Sequence, residues 1–100
     1  MVDADGDSPL IVAALCGHAA ITDLLLRRGA LIDVVNNAGE TALTSASQKG
    51  HADVVAALLR FGGDMNQQNR SGASALQIAV ENDHPDVVKV LLEESCTSGN

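Results

Sequence analysis

Asp3-Ala4-Asp5-Gly6-Asp7 opens like a calcium loop, in which alternate carboxylates converge on one cation. Such a loop also needs glycine at its sixth position and a bidentate glutamate at its twelfth. Counted from Asp3, those places hold Ser8 and Ala14, and Pro9 starts a helix where the loop should continue. The acidic run is therefore read as a turn ahead of a helix N-terminus, where negative charge is favourable. His18, His51 and His84 are candidate zinc ligands, but they stand at intervals of 33 residues. Equivalent places on stacked units lie about 10 Å apart, and zinc needs all its ligands near 2 Å from one centre. The expected role is structural, bonding across the turn between two helices.

Cys16 and His18 pair a thiol with a base, yet no third group orients them and no oxyanion donors accompany them. Cys16 and Cys96 fall on the first and third units, about 20 Å apart on the same packing, which is too far for a disulfide. A phosphate-cradling glycine loop, G-x-S-x-G and H-E-x-x-H are all missing. No catalytic, metal or cofactor-binding residue is assigned, and the chain is not read as an enzyme.

What positions these residues is bounded by composition. One hundred residues make one domain, 1–100, or part of a larger one. A hydrophobic share of 46% with 19% charged residues excludes intrinsic disorder. Phe61 is the only aromatic residue, so the core must be aliphatic. The net charge of −7 opposes a general nucleic-acid binder or a polybasic membrane contact. No apolar run approaches the roughly 20 residues that cross a bilayer, and no secretory signal is visible. The expected setting is the cytoplasm or nucleus.

The 33-residue interval recurs throughout. Gly6, Gly39 and Gly72 keep it, as do Leu10, Leu43 and Leu76, then Ala13, Ala46 and Ala79. Leu25, Leu58 and Leu91 follow, with Leu26, Leu59 and Leu92 beside them. Three copies are predicted, at about 3–35, 36–68 and 69–97. In each, Ser8, Thr41 or Ser74 caps a short first helix, over Pro9–Cys16, Ala42–Lys49 and 75–82. Gly17, Gly50 and Asp83 close these helices in the left-handed conformation. A second helix carries an apolar stripe: Ile21, Leu24 and Leu25, then Val54, Ala57 and Leu58, then Val87, Val90 and Leu91. Gly29 and Gly62 end the first two of these helices, and residues 95–100 form a polar tail. The loops at 30–40 and 63–73, rich in Asn, Asp, Gly and Gln, read as long turns. Neither helix buries its stripe within one copy, so the copies must stack into a solenoid.

Gly39-Glu-Thr-Ala-Leu43, Gly50-His51, Val54-Val55, Leu58-Leu59 and Gly62-Gly-Asp-Met-Asn66 together resemble an ankyrin repeat. Ser8-Pro9-Leu10 and Arg28-Gly29-Ala30 carry the likeness in the first copy, and Ser74-Ala75-Leu76 and Asp86-Val87-Val88 in the third. The resemblance implies an all-α solenoid of three helix-turn-helix units joined by long β-turn-like loops. The family's histidine after T-P-L is Ile11, Thr44 or Gln77 here, so that bond network is missing, and the helix beginning Thr44-Ser45-Ala46-Ser47 is unusually polar. A soft stack is expected. The apolar run from Leu10 to Cys16 and the uncapped copies at both ends lead to the expectation of a longer array, monomeric or self-associating through its ends.

Proteins similar to this bind other proteins through turn tips and the exposed side of the first helices, which line one concave surface. Carried over, those positions are Asp5, Asp7, Leu15 and Cys16; Asn37, Glu40, Gln48 and Lys49; and Arg70, Ser71, Glu81 and Asn82, with Ala4, Ala38 and Ala73 among them. These columns vary between copies while the inner ones do not. Acidic turns at one end and Arg70 near the other imply a partner protein of mixed charge. Phe61 is read as a partly covered edge contact. Asp64-Met65-Asn66 resembles the asparagine-hydroxylation site of some ankyrin repeats, which makes Asn66 a possible modification site; otherwise Asn66 bonds its own loop backbone. The expected function is protein–protein interaction. The alternative is a structural spacer packed against neighbouring parts of a larger protein.

Overall fold

A computed structural model describes residues 6–98 as six helices in three pairs: α1 (Pro9–Cys16) with α2 (Ala19–Arg27), α3 (Ala42–Lys49) with α4 (Ala52–Arg60), and α5 (Ala75–Glu81) with α6 (Pro85–Ser98). Strands are absent among the described residues. The first helices form one row, α1 against α3 and α3 against α5. The second helices form a parallel row, α2 against α4 and α4 against α6. The core lies between the rows and is aliphatic, with Ile11, Val54, Val55, Leu58, Val87 and Leu91 completely enclosed.

Each first helix starts on a hydroxyl. The side chains of Ser8, Thr41 and Ser74 accept from the backbone N–H three residues on, satisfying one of the unpaired donors of the first turn. The polar helix α3 is the best-satisfied of the three. Thr44 Oγ1 accepts from the Thr41 N–H at 2.8 Å, closing a capping box, and the Ser47 hydroxyl donates to the Leu43 carbonyl at 2.8 Å. Thr44, Ser45 and Ser47 are buried between α1 and α5. Small residues let the flanking helices approach closely, and these bonds remove most of the cost of enclosing hydroxyls.

The stripe expected on the first of the second helices is only half inside. Ile21 and Leu24 are 48% and 50% exposed, while Thr22 and Leu26 are buried. In α4 the equivalent Val54 and Ala57 are enclosed, and Val55 with them. The column faces the preceding pair, and no preceding pair covers α2 among the described residues. Thr22 satisfies its buried hydroxyl by donating to the His18 carbonyl at 2.9 Å.

A second difference concerns the polar tail expected from residue 95, since α6 continues to Ser98. Gly29 and Gly62 take φ of 88° and 90° just past α2 and α4, turning the chain. Ser95 stands in that column. Without glycine the left-handed turn is disfavoured and the helix runs on.

Burial by two neighbours rather than one sets the energetics. Leu58→Ala, in the centre of the stack, is expected to cost about 2–5 kcal/mol. Leu92→Ala, on a leucine 51% exposed at the outer side of α6, should cost less than about 1 kcal/mol. Urea unfolding followed by circular dichroism measures both.

Candidate functional site

Loop tips and first helices meet in a groove of about 400 Å³ between the first and second copies. Asp7, Leu15, Asn37, Glu40 and Gln48 line it, together with Asn36, Ala38 and Ser45. Six of the residues expected to face a partner, Ala38 included, are thus brought together. Gln48 and Asn37 are exposed and Leu15 is half-buried. Asp7, by contrast, is only 7% exposed. Asn36 Nδ2 donates to its Oδ1 at 2.8 Å, so this carboxylate ties one copy to the next and presents little surface.

The remaining positions lie outside the groove. Cys16, Lys49, Arg70, Ser71, Glu81 and Asn82 are exposed. The stem of Arg70 packs against Gly39 of the preceding loop, and Asn82 Nδ2 donates to the Ile78 carbonyl at 2.8 Å. Asp5 lies outside the described residues, as do the turn at 3–5 and the side chain of Cys96. Asn66 is exposed and its backbone N–H donates to Asp64 Oδ1 at 2.9 Å. The loop bond at this point is thus made by the Asp64 side chain. Phe61 is 41% exposed where α4 ends.

Sequence reasoning missed Asn36 and Asn69, which build the loop tips. Asn36 Oδ1 accepts from the N–H groups of Ala38 and Glu40, both at 2.9 Å. Asn69 Oδ1 does the same for Ser71 and Ala73, at 2.9 and 3.0 Å. Each then reaches backwards through its amide nitrogen, Asn36 to Asp7 and Asn69 to Glu40 Oε2, both at 2.8 Å. One side chain therefore folds its own tip and fixes it to the preceding copy. The signal was present as an asparagine in the same column of both copies, a residue whose side chain readily bonds backbone two positions on.

The histidines also link copies, where the sequence led to a bond within the helix turn. His51 Nε2 lies 3.1 Å from the Leu15 carbonyl, and His84 Nε2 lies 2.8 Å from that of Gln48. A carbonyl only accepts, so Nε2 carries the proton and donates. His18 is exposed. Among the described residues, no three His, Cys, Asp or Glu side chains come together in a way that would hold a metal ion.

Comparison with known proteins fits this geometry. A family model described as "Ankyrin repeats (3 copies)" matches residues 10–100. A stretch of 32 residues is 56% identical to the Ankyrin repeat-containing protein YIL001W of Saccharomyces cerevisiae, covering 32% of this chain and 6% of that protein.

The histidine links give a direct test. His51→Ala removes a hydrogen bond and a packed ring between copies and is expected to lower stability by about 1–2 kcal/mol. His18→Ala, at the exposed equivalent, should change it by less than about 0.5 kcal/mol. Equilibrium denaturation of the two variants side by side reads the difference.

Proposed function

The chain belongs to the ankyrin-repeat family, whose members are generally protein–protein interaction modules and generally not enzymes, and from that premise we propose that it binds a partner protein through its loop tips and the outward side of α1, α3 and α5. The observation that carries this reading is the groove of about 400 Å³ between the first two copies, where Leu15 offers apolar surface beside the polar Asn37, Glu40 and Gln48. Mixed lining of this kind suits a protein surface: an apolar anchor supplies the energy and a polar rim the specificity.

The outward columns support the same reading. Leu15, Gln48 and Glu81 occupy one position on successive copies, as do Cys16, Lys49 and Asn82. Packing fixes the inner columns and leaves these free to suit a partner. Arg70 and Lys49 belong to the same proposed surface as the carboxylates of Glu40 and Glu81, which favours a partner of mixed charge. Asn66, exposed on its loop, belongs to the proposal as a modification site. The proposed setting is the cytoplasm or nucleus; among the described residues no helix is long and apolar enough to cross a membrane.

The test is a pull-down from cell lysate read by mass spectrometry, comparing the natural chain with Leu15→Ala, Lys49→Ala and Glu81→Ala combined. Lys49 and Glu81 are exposed, while Leu15 packs partly against the core, so circular dichroism verifies the fold of the variant before capture. A captured partner is expected to lose at least about tenfold in affinity for the triple variant, a difference of about 1.4 kcal/mol. Equal capture by both would move the function away from this surface and towards a spacer that packs within a larger protein.

A further inference from the structure

The outer face of the third copy repeats the columns by which the first and second copies each hold their successor. This face is largely apolar. Val80 and Leu92 are 61% and 51% exposed there, beside a groove of about 500 Å³ that Pro85, Val88 and Asp83 also line. At the equivalent positions, Ala14, Ser47 and Leu26 are buried and Leu59 is half-buried. At the other end of the stack, Val12, Ile21 and Leu24 are exposed in the columns that copies two and three present to the copy before them. Apolar contact alone would thus allow one chain to stack on another, continuing the interface already built twice within it.

Several columns of the third copy's face are changed, Val80 among them where Ala14 and Ser47 are small, and two of the changes fall on the ties between copies. The first two copies end their first helix on Gly17 and Gly50; the third has Asp83. The backbone there is the same in all three. The N–H groups of His18, His51 and His84 donate to the carbonyls of Ala13, Ala46 and Ala79 at 3.0, 3.0 and 2.9 Å. Gly17, Gly50 and Asp83 take φ of 75°, 80° and 56°. At each glycine the histidine of the next copy lies against the Cα. A Cβ on Gly17 would stand 2.7 Å from Cε1 and Nδ1 of His51, and one on Gly50 would stand 2.6 Å from Nδ1 of His84. Each ring is also held by its Nε2 bond to the carbonyl of Leu15 or Gln48. Asp83 carries that Cβ and a carboxylate beyond it, in a conformation that glycine would adopt more readily. In the second changed column, Asp7 and Glu40 each accept an amide from the following copy, whereas the third copy has Ala73, which accepts nothing through its side chain.

We propose that Asp83 is a steric stop, which fills the place that His18 of a second copy of this chain would occupy and so prevents head-to-tail stacking through the exposed apolar ends. The stop depends on the Cβ and not on the charge. Asp83→Asn keeps the Cβ and tolerates the same backbone conformation; Asp83→Gly removes the Cβ and relaxes that conformation, so both variants keep the fold, which circular dichroism verifies.

Sedimentation velocity over a concentration series decides the matter. The natural chain and Asp83→Asn are expected to remain monomeric. Asp83→Gly is expected to associate at least about tenfold more tightly than Asp83→Asn, equivalent to about 1.4 kcal/mol. Adding His18→Ala to the glycine variant should return it to a monomer, because the ring that fits the vacated place is gone. The proposal is overturned if the natural chain or Asp83→Asn associates as strongly as Asp83→Gly. It is equally overturned if Asp83→Gly stays monomeric through the series, or if its association survives His18→Ala. The series reads self-association of the chain alone, with no partner protein present, so the outcome is independent of the function proposed above.

Discussion

Stacking of each helix pair on the next is the interaction on which the molecule rests. The first helices span seven or eight residues and α2 and α4 nine. Isolated helices shorter than about 12 residues are marginal in water, and a pair this short has no interior of its own. The largest enclosed side chains, Ile11, Leu58 and Leu91 among them, are enclosed because the rows α1–α3–α5 and α2–α4–α6 run side by side. Inner columns keep the 33-residue interval because they pack between copies, whereas Gly6, Gly39 and Gly72 keep it because each takes a positive φ. Stability is accordingly shared between internal contacts and interfaces. It is greatest in the middle copy, where both sides are covered, and lower towards the ends.

That dependence explains which parts of the fold were legible in the sequence. The bounds of α1 and α3 follow from the hydroxyl before each and the glycine after it, both local signals. Asp83 was readable as a left-handed residue because its column holds glycine twice. Burial was less legible at the edges. Ile21 has the same chemistry and register as Val54, yet one is half exposed and the other enclosed. A hydrophobic stripe tells which side of a helix prefers cover; whether cover exists depends on the neighbouring pair. The length of α6 was misjudged for a related reason. A polar composition beyond residue 94 was taken as a stop, although what ends α2 and α4 is a glycine, and Ser95 supplies none.

The candidate site divides along similar lines. Outward positions on the first helices, Gln48, Lys49 and Glu81, could be found by helical geometry from the inner column and are exposed. Loop positions could not, because a loop has no period shorter than the repeat. Asp7 looked like an outward acidic residue and is instead buried, accepting from Asn36. Asn36 was passed over for its neighbour Asn37, which lines the groove. In a tight turn successive side chains face different ways, so an error of one residue exchanges a structural tie for a contact surface. The family resemblance located the tips; only the geometry separates the residues that build them from those that they present.

A repeat built on identical columns carries an inherent hazard. If one copy fits the next, a copy left uncovered in one molecule fits a copy left uncovered in another, and such heterologous contacts do not close but extend into open filaments. Apolar character by itself cannot discriminate here, because Leu92 keeps the chemistry of Leu26 and Leu59. Discrimination has to come from features with fixed shape and polarity. In this chain those are the fit of histidine over glycine and the amide-to-carboxylate tie, each made twice within the stack. At the third copy, whose far side no neighbour covers among the described residues, the receiving residues are Asp83 and Ala73. The fit of the two internal interfaces thus rests on what the first two copies share, glycine under the next histidine and a carboxylate under the next amide.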